Sequence, residues 1–188
     1  MRDIEKSWIE IGYRFFAYEG PGGLKIERLA REVGKNKSSF YHLFADIEVY
    51  TERLLTFHLH QAKIIAEKES NSENERELMD VILEHKIDLL FNRQLRVHRE
   101  KKEFENCFNK TNQISIPAIL PVWKKTIGLS ENTSLAQMVL TLSLENFYLQ
   151  ITDETLSESW LKRYFSNIRQ MVAHFSHTQN KIAIDGSV

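Results

Sequence analysis

The stretch from Ile26 to Phe44 reads IERLAREVGKNKSSFYHLF. Ile26, Leu29, Ala30 and Val33 recur at i, i+3, i+4 and i+7, the spacing that sets side chains on one face of a helix. Gly34 closes that helix, because a residue without Cβ takes the left-handed cap conformation without a clash. Asn36 then offers a side-chain oxygen to the free N–H groups of a second helix. Phe40, Leu43 and Phe44 give the second helix its apolar face, and Lys35, Lys37, Ser38, Ser39, Tyr41 and His42 are left outside. Short hydrogen-bonding groups and cations on an exposed helix suit phosphates and base edges in a major groove. The spacing predicts a helix-turn-helix.

Around this unit lies a chain of 188 residues, 42% hydrophobic and 27% charged, enough for one sizeable core or a small module plus a larger one. The formal net charge of -1 does not advertise nucleic acid. The local balance differs: Lys25, Arg28, Arg31, Lys35 and Lys37 outnumber Glu27 and Glu32, and phosphate attraction follows local charge. One cysteine, Cys107, excludes an intramolecular disulfide framework and fits a reducing compartment. The N-terminus carries no secretory pattern, and the most apolar run, Met138 to Ile151, is too short and polar to span a bilayer. The expected address is cytoplasmic, with no membrane partner.

Taken in order, Ile4 to Tyr18 predicts a first helix with Ile4, Trp8, Ile11 and Phe15 as its stripe, widened by Phe16. Gly12 in its interior implies close packing. Glu48 to Glu67 predicts a long helix, with Val49, Tyr50, Leu54, Phe57, Ile64 and Ile65 inward. Glu69 to Glu77 reads as a polar link, with Ser72 and Glu75 as a capping box for a helix through Leu78, Val81, Ile82, His85, Leu89 and Leu90. Arg93 to Lys102 is a basic run, read as a solvated face or a helix junction, or else a site for an acidic partner. Pro117 suits a first helical turn, and Pro121 a kink or restart. Asn132 to Ile151 is apolar on more than one side and needs cover on more than one side. Thr155 with Glu158 predicts the cap of a helix reaching about Phe175, and Lys181 to Val188 a loose tail. No phosphate loop, nucleophile elbow or zinc spacing occurs. The expectation is no enzyme, no metal and no cofactor.

Ala30, Gly34, Tyr41 and Phe44, with Phe40 between them and an acidic helix start after Phe44, resemble the N-terminal domain of the tetracycline-repressor (TetR) family. The resemblance covers roughly the first 55 residues. The family often has Thr or Ser where Lys25 stands and Lys where Ile47 stands. It implies an all-α fold: a three-helix DNA-binding domain over residues 1–47, a helical ligand-binding and dimerisation domain over 48–178, and a tail over 179–188. It implies a ligand-responsive regulator, a repressor, that binds a palindromic operator as a homodimer through its last two long helices. Lys25, Arg28, Lys35, Asn36, Lys37, Ser38, Ser39, Tyr41 and His42 are the expected DNA-binding residues. Phe91, Phe104, Cys107, Phe108, Trp123 and Phe147 are the expected walls of a small-molecule cavity. Two rivals stand beside this reading. One keeps DNA binding but gives the larger domain a protein partner; the other is a helical enzyme or carrier whose motif is incidental.

Overall fold

The computed structural model describes residues 3–185, with side chains described for 4–175. The chain is all-helical, and no strand occurs among the described residues. The elements are α1 (Asp3–Glu19), a 3-10 turn (Gly20–Gly23), α2 (Ile26–Val33), α3 (Lys37–Phe44), α4 (Ile47–Ser70), α5 (Glu75–Glu84), α6 (Lys86–Val97), α7 (Lys102–Ile127), α8 (Thr133–Gln150) and α9 (Glu158–Asp185). No helix among the described residues is long and apolar enough to cross a membrane.

α4 and α7 pack together as the central pair; α1 lies on α6, α8 on α7 and α6, and α9 on α7 and α5. One apolar core runs from Trp8 to Val172, so packing continues across residue 47 into α4. At its N-terminal end Trp8, Phe40, Phe44 and Tyr50 meet edge to face or tilted, the arrangement ring quadrupoles favour. Farther in, Phe91 stacks at 4.3 Å on both Tyr13 and Phe16, joining α6 to α1.

The buried face of α1 is Trp8, Ile9, Tyr13, Phe16 and Ala17, whereas Ile4 is exposed and Ile11 and Phe15 are half-buried. The expected stripe is therefore turned by about one position. α6, which packs against α1, takes Tyr13 and Phe16 as its contacts, while Arg28 lies 3.9 Å over the Phe15 ring. Gly12 is explained. A Cβ there would stand 1.8 Å from Tyr50 Oη, and that hydroxyl donates to the Trp8 carbonyl at 2.6 Å.

Several boundaries differ from the sequence reading. The cap of α5 is Asn74 rather than Ser72: Asn74 Oδ1 accepts from Glu77 N at 3.1 Å, and Glu77 Oε2 accepts from Glu73 N at 2.7 Å. The box is the expected one moved two residues. The helix expected through Leu90 is two, broken at His85 with φ −100 and ψ 29. No glycine or proline marks that break. α7 continues through Pro117 and Pro121, which sit on its exposed side; the Gln113 and Pro117 carbonyls lose their helical donors where water can replace them. α9 starts after Ser157, because Thr155 Oγ1 is engaged by Thr152 N at 2.7 Å. It runs to Asp185, so the expected tail begins as helix; Gly186 to Val188 lie outside the described residues.

Candidate functional site

The polar face of α3 is built locally. Gly34 takes φ 69 and ψ 33, and its N–H bonds the Ala30 and Arg31 carbonyls, which ends α2. Asn36 Oδ1 accepts from Ser39 N at 2.9 Å, Ser39 Oγ at 2.9 Å and Ser38 Oγ at 3.0 Å. One amide oxygen thus caps the helix and orients both serines. Phe40 and Phe44 are buried; Lys35, Asn36, Lys37, Ser38, Tyr41 and His42 are exposed, and Ser39 is half-buried. Tyr41 leans edge-on against Phe40 and stays 52% exposed. The far end of α3 is fixed by a γ-turn: Asp46 N bonds the Phe44 carbonyl at 2.7 Å around Ala45, whose φ is 60 and ψ −56. Such a turn is rare and strained for a residue with a Cβ.

The cations here are not all free. Lys37 Nζ donates to Glu27 at 2.5 Å and Arg28 to Glu19 at 2.5 Å. The two acids sit below their usual range because of these hydrogen bonds. Both pairs are exposed, so solvent and salt screen them and an anion can compete for the cations. Lys25 stands at the N-cap of α2 and makes no side-chain cap bond, which a Ser or Thr there would make.

A second site lies within α4–α9, a cavity of about 60 Å³. A water needs about 10–15 Å³ on the same measure, so the space is more than a packing defect. Trp123 and Phe147 line it, along with Tyr148, Tyr164 and Phe165. Phe91, Phe104, Cys107 and Phe108 do not. They are core: Phe91 and Phe104 pack on Phe16, Phe108 on Tyr148, and the Cys107 thiol, pushed up to about 12 by burial, faces the Leu55 carbonyl. The polar residues at the cavity are His58, Glu69, Asp88, Asn92, Thr111, Asn112, Ser115 and Ser143. Glu69 is buried and its Oε2 has no hydrogen-bond partner; burial pushes its carboxyl up to about 8.

A chain of hydrogen bonds leads from this cavity to α1. Lys68 Nζ donates to His85 Nε2 at 3.0 Å and to Glu84 at 2.6 Å. His85 Nδ1 then donates to Asp88 Oδ2 at 3.1 Å, and Tyr13 Oη to Asp88 Oδ1 at 2.7 Å. Tyr13 has one proton and has given it to Asp88. His58 Nδ1, 2.7 Å away, is therefore the donor to Tyr13, and His58 Nε2 is an acceptor. Asn92 lies 3.3 Å from that nitrogen and is satisfied when its amide faces it with Nδ2, the atom otherwise without a partner. Burial holds His58 down at about 4, so it is neutral. The sequence reading puts Glu69 in a polar link and does not single out His58. Yet His58, Ala62, Ile65 and Glu69 fall at i, i+4, i+7 and i+11, one stripe of α4, and that spacing was the available signal.

The basic run straddles the α6–α7 junction rather than forming one solvated face. Arg96 pairs with Glu145 at 2.5 Å and is only 14% exposed, and Arg93 Nε is buried without a partner. On α8 the apolar residues divide: Ala136, Leu140, Phe147 and Tyr148 face inward, while Leu135, Met138, Leu142 and Leu149 are exposed, as are Met171 and Phe175 on α9. Spacings of three, four and seven put the four on one stripe of α8. No group of three or more His, Cys, Asp or Glu suited to a metal occurs among the described residues. No family model, no curated protein and no solved structure matches the chain.

Proposed function

We propose that the chain is a homodimeric, ligand-responsive DNA-binding regulator of the tetracycline-repressor type, acting as a repressor. The observation that carries this reading is α3: a capped helix with Phe40 and Phe44 buried and Lys35, Lys37, Ser38, Tyr41 and His42 open to solvent. In this reading α3 enters the major groove, Lys25 and Arg28 reach phosphates, and the exposed stripe of α8 with Met171 and Phe175 of α9 meets its symmetry mate. Two reading helices on a two-fold axis require a palindromic site with half-sites about 34–36 Å apart. A ligand in the cavity touches His58, Asp88 and Asn92, and through Tyr13 acts on the helix packed against α2. A coupling of roughly 1–3 kcal/mol is enough to shift the dimer between two spacings.

The test is selection of bound fragments from a random duplex library, followed by shift assays on Lys37→Ala and Tyr41→Ala. Both variants are expected to lose affinity by about tenfold or more, as removal of a good groove contact does, with the dimer intact by light scattering. Unchanged affinity in both removes α3 from the mechanism. A second reading, a helical enzyme or carrier, is favoured by the buried Tyr13–His58–Asp88 cluster beside the cavity. Ligand binding without any selected duplex supports it. The protein-docking alternative is weakened by the cavity beside Trp123 and by the burial of Arg96.

A further inference from the structure

We infer that the cavity takes a small organic cation, an ammonium group on an apolar body, with Glu69 as its counter-ion. The inference rests on reading the cavity as the ligand site and adds the chemical class that the site accepts. Glu69 belongs to the last turn of α4 and lines the cavity with a buried carboxyl whose Oε2 has no hydrogen-bond partner. Folded proteins leave few such groups unpaired, because an unmet buried acceptor is costly. The neighbouring cations are committed elsewhere: Lys68 to Glu84 and His85, Arg76 to Asp80 and Glu158, and Arg169 to Glu75. Burial keeps this carboxyl protonated at neutral pH, so an ammonium ligand binds with release of that proton and pairs with the carboxylate left behind.

The rest of the lining agrees. Trp123, Phe147, Tyr148, Tyr164 and Phe165 surround the cavity, and ring faces attract a cation, the more so away from water. His58 is neutral and offers no positive charge. Asp88, the other acid at the wall, is already met by Tyr13 and His85. An anionic ligand would meet two acids and no Lys or Arg in the cavity lining. A neutral one can hydrogen-bond Glu69 but gains no charge pairing with it.

The space of about 60 Å³ holds roughly four to six water-sized groups at about 10–15 Å³ each, which suits a small, slender probe. Pentylamine, pentan-1-ol and pentanoate have nearly the same shape and differ in charge. Their binding to the full chain, without DNA, is measured by calorimetry and thermal shift. Pentylamine is expected to bind at least about tenfold tighter than pentan-1-ol, and pentanoate not to bind. Glu69→Gln and Glu69→Met are expected to erase the amine preference and leave the alcohol unchanged. Equal binding of amine and alcohol, a preference that survives both substitutions, or no binding by any probe overturns the inference. A shift assay with and without pentylamine is run separately. Glu69-dependent binding that leaves DNA affinity unchanged retains the charge assignment and removes the regulatory reading.

Discussion

α2 and α3 on one side, and the cavity within α4–α9 on the other, are made by opposite means. The α3 face comes from contiguous residues held by local bonds: Gly34 ends one helix, Asn36 starts the next, and the γ-turn at Ala45 fixes the exit. Its charges are exposed and loosely paired. The cavity draws on side chains far apart in sequence, from His58 to Phe165, and most of its polar groups are buried. The first region is thus tuned by surface chemistry at little cost to the fold. The second ties chemistry to stability, since most polar groups there, His58, Glu69, Asp88 and Asn92 among them, are desolvated.

The sharpest way to break this contrast is at the joint between the two. Phe91 is fully buried between Tyr13, Phe16 and His58. Phe91→Ala is expected to cost about 3–5 kcal/mol in denaturant unfolding and to melt α1 with α6. Separate transitions for the two regions would show that they are not coupled.

The next effect is one of pH. Glu69 has its carboxyl raised from 4.5 to about 8 in the folded chain. An acid that holds its proton more tightly when folded gives its full contribution below pH 4.5 and loses it as pH climbs to about 8. His58, lowered from 6.5 to about 4, has the opposite sense: the unfolded chain gains the proton first, so stability falls as pH drops through that interval. The two oppose each other between pH 4.5 and 6.5, and only Glu69 acts above. Stability is expected to fall from pH 6.5 to 8, and Glu69→Gln to remove most of that fall, a gain of up to roughly 4 kcal/mol at pH 8. Unfolding curves of both proteins across that window decide it.

Smaller still is the cap of α3. Asn36→Ala is expected to cost about 1 kcal/mol, read as a lower midpoint in thermal unfolding with the cavity probes still binding. At the bottom of the scale, Lys37→Ala is expected to change stability by less than about 0.5 kcal/mol, because its pair with Glu27 is exposed. A larger loss would mean that the α3 surface is structural after all.

The same contrast explains what the sequence made legible. The all-helical class and the α2–α3 turn follow from periods, a glycine and a cap within nineteen residues. The start of α2 at Lys25, without a side-chain cap, was also readable. The cavity was not, because its walls meet only after α4, α7, α8 and α9 are packed. Aromatic content pointed to Trp123 and Phe147 but equally to Phe91, Phe104 and Phe108, which are core; composition cannot tell a wall from a filling. Glu69 was hidden by its neighbours Lys68 and Ser70, whose polarity made the end of α4 look like a link. The break at His85 has no local breaker at all, and that residue's ring is held by Lys68 of α4 and by Asp88 in the first turn of α6.

Gly12 and Tyr50 carry a mechanical consequence. The phenol crosses the space where a methyl group would stand and is tethered to the backbone of α1 at Trp8. The two helices are therefore pinned like a bolt through a hasp. α4 cannot slide past α1 by a helical turn without pulling the ring out. Whatever tilts α4 from within the larger helical layer must swing α1 with it, as a lever and not as a piston.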